Sequence, residues 1–302
     1  MRSQEFFCTF APDFGQRTMK RDTLHDIFLF LGALSTFFLT ACISDSQWNG
    51  IEFYRVEKQE RLNETPMEDA DEEEAEKDTL QDEFASLHEG AKREMDVKVD
   101  MQFMRQDQEV NERVCKLING QLIEILLHQS SELTADEAVA QYIEDVKGEF
   151  RSDEVADIYY DHLTGRAEYG KKQVVNYRLE EEVFNGGAHP CTVTTILRFD
   201  TSTGRMIVLD DICPITKQNL LKDLLLRKLM KDQQVRTMDE LRQKGILEMT
   251  DMFISNNFAL REDSIEFLYN EYDIAPYAYG AFTICLGYDE TKEVLNFQTL
   301  KP

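Results

Sequence analysis

The stretch Thr192–Leu209, TVTTILRFDTSTGRMIVL, carries the clearest signal for the fold of this chain. Its two apolar arms, Thr192–Phe199 and Met206–Leu209, are separated by Asp200-Thr-Ser-Thr-Gly204, a polar segment that ends in glycine. Short loops that contain glycine between two such arms are typical of β-hairpins. The pattern therefore predicts an antiparallel hairpin, and with it an antiparallel sheet.

Strand patterns also occur on both sides of this hairpin. Met95–Phe103 alternates strictly between apolar and polar residues, as expected for a strand with one buried face. Further strand-like runs are Ile158–Tyr160, Arg166–Tyr169, Val174–Phe184, Phe258–Leu260, Ile265–Tyr269 and Phe282–Tyr288.

Four helices are predicted between these strands. Apolar residues recur at spacings of three and four in Val110–Leu126, which predicts an amphipathic helix. Thr134 and Glu137 have the spacing of a capping box, which predicts the start of a second helix. Leu220–Leu229 marks a third helix, and Thr237 caps a short fourth one.

Groups of strands that alternate with pairs of helices indicate an α+β fold rather than a doubly wound parallel sheet. We expect a mostly antiparallel sheet with helices packed on it, preceded by a signal peptide and an acidic linker. The predicted segments are a signal peptide at 1–41 with a surplus N-terminus at 1–18, a lipidated cysteine and disordered linker at 42–93, and an envelope domain at 94–302 with halves 94–183 and 184–302.

The composition excludes several classes of function. The 302 residues include 58 acidic and 33 basic side chains, so the formal net charge is −25. A body this acidic repels a phosphate backbone, which predicts that nucleic acid is not a partner. Hydrophobic residues make up 42% of the chain, enough for a folded core.

The N-terminal region resembles the signal peptide of a bacterial lipoprotein. Ile27–Ser44 contains no charged residue and follows the basic pair Lys20-Arg21. Leu39-Thr-Ala-Cys42 is similar to a lipobox, in which a peptidase cuts before the cysteine and acyl chains such as palmitate are attached. The resemblance implies a chain anchored by lipid to the outer membrane and facing the periplasm. A retained membrane helix is the alternative.

An acidic segment follows the predicted lipidation site. Glu57–Glu83 contains 13 acidic and three basic residues, a net charge of −10. Repulsion between like charges favours an extended, solvated spacer, and an acidic interaction tail is the alternative.

Three short motifs stand in the second half of the chain: Phe184–Pro190 (FNGGAHP), Asn257–Leu260 (NFAL) and Tyr272–Gly280 (YDIAPYAYG). Their order and spacing resemble an extracytoplasmic domain family of unknown function that is marked by a Gly-Gly-Ala-His motif. That family includes the outer domain of the lysozyme-sensing anti-sigma-V factor and the accessory region of certain peptidoglycan deacetylases. The similarity covers residues from about 95 to 295.

The resemblance implies a binding or sensing module and not an enzyme. The sequence offers no cytoplasmic anti-sigma segment and no cluster of one aspartate and two histidines that would hold a catalytic metal. We therefore expect no cofactor and no metal. The implied partner is a basic protein of the lysozyme type or cell-wall peptidoglycan.

The Gly-Gly-Ala-His segment supplies the first candidate ligand-binding residues. Gly186 and Gly187 permit a positive φ or a close approach of the backbone. His189 precedes Pro190 and is therefore expected to be extended. The segment is either a ligand-facing loop in which His189 forms hydrogen bonds, or a structural bend with a satisfied imidazole.

A catalytic alternative uses the same histidine. Asp210 and Asp211 lie across the predicted hairpin, so a cell-wall hydrolase or deacetylase would pair His189 with one of them. Acidic pairs at strand ends more often cap turns. A metal site from His128, His162 and His189 has no ligand spacing to support it.

The remaining candidates are aromatic residues and cysteines. Tyr272, Tyr277 and Tyr279 surround a proline, in a segment suited to ligand stacking or to closing the core. A disulfide between Cys191 and Cys213 would need a β-bulge, because the hairpin register places them on opposite faces. We therefore expect Cys115, Cys191, Cys213 and Cys285 to be mainly small buried apolar residues.

Overall fold

The computed structural model describes residues 51–64, 93–105, 111–152, 158–171 and 173–297. The predicted signal peptide at 1–41, the lipidation site Cys42 and residues 65–92 of the linker lie outside the described residues. Within the described ranges, no helix combines the length and the hydropathy that crossing a bilayer requires.

The first sheet contains five strands in chain order. They are β1 (Glu52–Glu64), β2 (Arg93–Arg105), β3 (Ile158–Tyr169), β4 (Val174–Phe184) and β5 (Cys191–Asp200). In this sheet β2 and β3 are parallel, and the other neighbouring pairs are antiparallel. A parallel step needs a long crossover. Two helices supply it, α1 (Glu112–Leu126) and α2 (Ala135–Ser152).

The two crossover helices cover one face of this sheet. Side chains from every second residue of β2 are buried against them, namely Met95, Val97, Val99, Met101 and Phe103. The predicted capping box at the start of α2 is confirmed. The Thr134 N–H donates to Glu137 Oε2 at 2.9 Å, and the Glu137 N–H donates to Thr134 Oγ1 at 3.4 Å.

The opposite face of the five-stranded sheet is polar. Asp100 on β2 is 5% exposed and accepts hydrogen bonds from Arg55 Nη2 at 2.7 Å and from Arg166 Nη1 at 3.0 Å. Burial alone would raise the pKa of this carboxyl, but the hydrogen bonds and charges of the two arginines lower it to about 2. An ion triad therefore occupies the face that the helices leave uncovered.

Strand β1 lies in the stretch that the sequence assigns to the linker. It pairs with β2 over its whole length, although only Val56 is fully buried. Its many charged residues hide the strand pattern, because an edge strand needs few apolar side chains and charges protect its open edge. The structured part of the chain therefore begins earlier than residue 94.

The first arm of the predicted hairpin is a strand, as expected, but the prediction is wrong for the second arm. β5 occupies the first arm, but Met206 forms only a single bridge with Phe199. From Val208 the chain turns into a short helix, α3 (Leu209–Ile212), because the Val208 N–H donates to Asp211 Oδ2 at 2.9 Å. The turn itself uses Gly204 at a φ of 74°.

The second half of the described chain contains a smaller antiparallel sheet and three further helices. In chain order the elements are α4 (Ile215–Asp232), α5 (Met238–Gln243), β6 (Phe258–Leu260), β7 (Ser264–Tyr269), β8 (Phe282–Gly287) and α6 (Tyr288–Thr291). These helices and strands enclose a second apolar core. The predicted helices and closing strands of this half are confirmed within a few residues at each end.

Polar contacts join the two sheets. The buried Asn176 on β4 donates to the Leu260 carbonyl at 3.0 Å and accepts from the Leu260 N–H at 2.9 Å. Beside it, Arg178 and Arg261 each bridge Glu168 and Glu266, so four charges from both sheets alternate in a ring. The described fold is therefore a mixed α+β fold with a five-stranded and a three-stranded sheet.

Candidate functional site

The Gly-Gly-Ala-His segment is the loop that connects β4 to β5. Gly186 has a φ of 82°, which favours glycine at this position, whereas a side chain at Gly187 would meet nothing closer than 3.8 Å. Both glycines and the neighbouring Ala188 are exposed. The loop therefore projects from the end of the sheet into solvent.

His189 lies against the tyrosines of a distant segment. Its ring stacks on Tyr277 with centroids 3.8 Å apart and planes 16° apart. Its Nδ1 lies 2.9 Å from the Pro190 carbonyl, and its Nε2 lies 3.3 Å from the Tyr272 hydroxyl. Because a carbonyl oxygen can only accept, Nδ1 is the donor in the hydrogen bond to Pro190.

Tyr272 is held in an unusual conformation. Its φ is 68°, in the left-handed region, and 55% of its surface is exposed. The turn is fixed by Asp273, whose Oδ2 accepts from the Asn270 N–H at 2.7 Å. Burial raises the pKa of Asp273. A non-glycine residue in this region costs free energy, which is common where a side chain is positioned for function.

A second aromatic group continues this surface. Tyr160 stacks on Phe184, its partner across β3 and β4, at 5.7 Å, and on His162 at 5.1 Å. Burial, the hydrogen bond to Glu182 and its charge, and the nearby Tyr277 raise the pKa of Tyr160. We call the whole set the aromatic strip: Tyr160, His162, Phe184, His189, Tyr272 and Tyr277.

Acidic side chains border the aromatic strip. Glu182 lies opposite His162 in the β3–β4 register and accepts from the Tyr160 hydroxyl at 3.1 Å. Glu180 follows two residues away on the same face, and both glutamates are exposed. On the other side of His162, its Nε2 lies 3.6 Å from Asp96 Oδ2. The strip therefore combines one exposed and five half-buried aromatic side chains with negative charge.

The structure places Tyr279 outside the strip. Its hydroxyl donates to the Lys244 carbonyl, and its ring lies 6.2 Å from that of Phe282. Of the predicted site residues, His189, Tyr272 and Tyr277 come together, Gly186 and Gly187 form the adjoining loop, and Tyr279 contributes to packing near α5.

Sequence reasoning missed Tyr160, His162 and Phe184 as members of this site. The alternation in β3 contains a signal for the first two, because they lie on the same face of the strand and opposite the buried Leu163. What the sequence does not contain is the pairing that aligns this face with the loop after β4.

The aspartates of the catalytic alternative are engaged elsewhere. Asp211 Oδ1 lies 2.8 Å from Arg205 Nη1, and its other oxygen caps α3. Asp210 Oδ1 accepts from Gln218 at 2.7 Å. Neither carboxylate contacts His189 in the described part of the chain. In the same ranges no group of three potential ligands could hold a metal ion.

The described cysteines form no disulfide with one another. Cys115 and Cys213 are buried, as expected, and burial raises the pKa of Cys213 to about 11. The prediction is wrong for Cys285, which is exposed, and for Cys191, which is only half-buried. The alternation of β8 explains the exposure of Cys285, because its neighbours Ile284 and Leu286 are buried and lie on the opposite face of the strand.

Comparison with known proteins identifies a domain of unknown function. Residues 209–289 match the model of DUF3298, described as a protein of unknown function. The predicted resemblance to a domain family of unknown function is confirmed at that level. The matched range begins after the Gly-Gly-Ala-His loop and contains the tyrosine segment. No curated protein matches the chain.

Two crystal structures resemble the whole described fold. A DUF3298 family member from Bacteroides fragilis NCTC 9343 is 24% identical, with a TM-score of 0.63 over 82% of this chain and 94% of that one. A DUF3298 family protein from Pseudomonas aeruginosa PAO1 is 17% identical, with a TM-score of 0.51 over 81% of this chain and 96% of that one. These likenesses show the fold alone. The narrower resemblance to the anti-sigma-V factor or to deacetylases stays a prediction.

Proposed function

We propose that this chain is a non-catalytic binding module of the bacterial envelope, and that the aromatic strip binds a cationic protein of the lysozyme type. The observation that carries the proposal is the stack of His189, Tyr277 and Tyr272 at the surface, continued by Tyr160 and bordered by glutamates. These six aromatic side chains come from two strands and two loops, and none of them is fully buried in a core.

The chemistry of the strip suits lysine and arginine side chains. Ring faces attract a cation through the π-system, and the neighbouring carboxylates add ion pairs. Tyrosine side chains bury a large area at a small cost in conformational entropy, which is why they are common in binding surfaces. The net charge of −25 adds long-range attraction and faster encounter with a basic partner.

The contacts of His189 support binding over the hydrolase or deacetylase alternative. A general base needs a free ring nitrogen near the reacting proton, but Nδ1 and Nε2 both face protein oxygens. Peptidoglycan is the second candidate ligand, because sugar rings also stack on aromatic side chains. The test below therefore includes it.

Anchoring completes the proposal. Acyl chains on Cys42 would hold the module at the outer membrane facing the periplasm, and residues 43–51 would connect this anchor to β1. Metabolic labelling with a clickable palmitate, compared between the native chain and Cys42→Ala, tests this part separately. A native chain that takes up no label would contradict the anchor.

The binding test uses the full chain in detergent and hen egg-white lysozyme on a sensor surface at about 50 and 300 mM salt. We expect binding that weakens at the higher salt. Tyr277→Ala should weaken it about tenfold or more, since it removes the central ring of the strip. Tyr279→Ala is the matched control, because Tyr279 is exposed but lies outside the strip.

Three outcomes would contradict the proposal. One is no binding of lysozyme at low salt. Another is equal loss in the Tyr277 and Tyr279 variants. The third is turnover of peptidoglycan that His189→Ala abolishes while lysozyme binding stays intact. Retention on peptidoglycan but not on lysozyme would replace the protein partner with the glycan.

A further inference from the structure

A cleft of about 900 Å³ lies along β5, and its lining contains none of the residues of the aromatic strip. Its walls are the outer edge of β5, the first half of α4 and residues 252–257. The edge of β5 is closed by side chains instead of a further strand. Asn257 and Asn270 both donate to the Thr194 carbonyl, and their side-chain oxygens accept from the N–H groups of Ile196 and Thr194. The cleft floor is therefore a built and satisfied surface.

The charge of the cleft differs from that of the rest of the chain. Its lining contains two basic residues, Arg198 and Lys222, and one acidic residue, Asp210. In a chain with 58 acidic and 33 basic residues, a lining with an excess of positive charge is unexpected. Asp210 accepts from Gln218, which lines the cleft beside it.

Arg198 is buried, and no carboxylate among the described residues forms an ion pair with it. It is 4% exposed, stacks on the Phe258 ring at 3.7 Å, and donates to the backbone carbonyls of Ile196, Ile207, Asn256 and Phe258. Burial lowers its pKa to about 10, so it stays charged at neutral pH. Carbonyl oxygens satisfy its hydrogen bonds but do not neutralise its charge.

Lys222 adds a second positive charge with no counter-ion. It is half-buried on α4, and in the described part of the chain no carboxylate lies within ion-pair distance of it. Two cations against the single carboxylate of Asp210 leave a net positive charge in the cleft lining, which attracts an anion.

The remaining lining residues suit a hydroxylated ligand. The side-chain amides of Asn219 and Asn256 line the cleft, and neither forms a hydrogen bond with the described residues. Phe253 presents 38% of its surface and Val208 41%. A few convergent amides beside exposed apolar groups are typical of sites that bind the polar edges and the apolar face of a sugar ring.

We propose that this cleft is a second ligand site, which binds a carbohydrate that carries a carboxylate. Lys222 and Arg198 attract the carboxylate, the amides of Asn219 and Asn256 bind hydroxyl or acetamido groups, and Phe253 contacts the sugar ring. The site is independent of the proposed function, because its lining shares no residue with the aromatic strip and its ligand has the opposite charge to a lysozyme-type protein.

The test compares two disaccharides that differ in one group. N-acetylglucosaminyl-N-acetylmuramic acid carries a carboxylate, and di-N-acetylchitobiose has the same rings without it. Isothermal titration with the full chain in detergent at low salt should detect binding of the first sugar and at least about tenfold weaker binding of the second. Lys222→Met should remove most of this difference, since it keeps the length and the apolar part of the side chain.

The matched control is Lys217→Met, on the same helix but exposed and outside the cleft. It should leave both affinities unchanged. Asn256→Ala should weaken binding of both sugars, which separates the amide contribution from that of charge. Lysozyme binding should be unaffected by all three substitutions, so failure here is distinguishable from failure of the aromatic strip.

The proposal is overturned by any of four results. These are no detectable binding of the acidic disaccharide at millimolar concentration, equal affinity for the two sugars, equal effects of the Lys217 and Lys222 variants, and equal binding of lactate alone. The last result would describe a simple anion site without carbohydrate recognition.

Discussion

The two faces of the five-stranded sheet are built by different means. One face buries the apolar residues of β2 under α1 and α2, whereas the other places the Asp100 ion triad, Asn176 and the ring of four charges against solvent and the second sheet. An apolar face tolerates many residue combinations, because burial is non-directional. A polar face requires particular partners, because each buried polar group needs a matching donor or acceptor.

The largest loss of stability is expected from a substitution on the apolar face. Phe103 is fully buried in the first core, so Phe103→Ala should lower the free energy of unfolding by about 3–5 kcal/mol. Urea denaturation followed by circular dichroism measures this loss. Phe253→Ala serves as control. That side chain is already 38% exposed, so its removal should lower the free energy of unfolding clearly less. Equal losses in the two variants would mean that the helix-covered face is not the main core.

A smaller effect is expected where the two sheets join. Asn176→Ala leaves the N–H and the carbonyl of Leu260 without their side-chain partner, which should cost about 2–4 kcal/mol. Asn219→Ala, an exposed amide without a described hydrogen bond, should cost less than about 0.5 kcal/mol. The same denaturation assay compares them. Equal denaturation midpoints for the two variants would mean that Asn176 does not stabilise the junction between the sheets.

The smallest effect concerns pH and the ion triad. Because the folded pKa of Asp100 is about 2 and its ordinary value is 3.8, the stabilisation is complete above about pH 5 and is lost as the pH falls from about 4 to 2. The shift corresponds to roughly 2 kcal/mol. Unfolding free energies measured between pH 6 and 2 should fall less steeply in Asp100→Asn than in the native chain.

Glu112→Gln is the control for this pH experiment. Lys116 lowers the pKa of Glu112 through a hydrogen bond and its charge, but both groups are exposed and solvent screens the pair. The pH profile of this variant should follow that of the native chain. Identical profiles for Asp100→Asn and the native chain would exclude the triad as the source of acid sensitivity.

Local signals explain what could be predicted of the fold. The capping box at Thr134, the alternation of Met95–Phe103 and the helical spacing in α1 each depend on residues within a few positions of one another. β1 was missed because its charges follow the rules of an edge strand and not those of a core strand. The second arm of the hairpin was wrong because Asp211 caps a helical turn there.

Only part of the candidate site could be predicted from the sequence. His189, Tyr272 and Tyr277 stand out as residues, but their contact joins positions 83 or more apart in the chain. Tyr160 and Phe184 meet only through the β3–β4 register. Sequence patterns contain no direct record of such pairings, since they depend on how whole elements pack.

The sequence by itself determined most of the helices and strands, the inward face of β2, both helices over it and the need for glycine at position 186, because propensity and periodicity act over a few residues. Only the tertiary structure decided the parallel pairing of β2 with β3, the alignment of the aromatic strip and the cleft closed by Asn257 and Asn270. Those features arise from hydrogen bonds and ring contacts between segments far apart in the chain, and their geometry exists only once both sheets have formed.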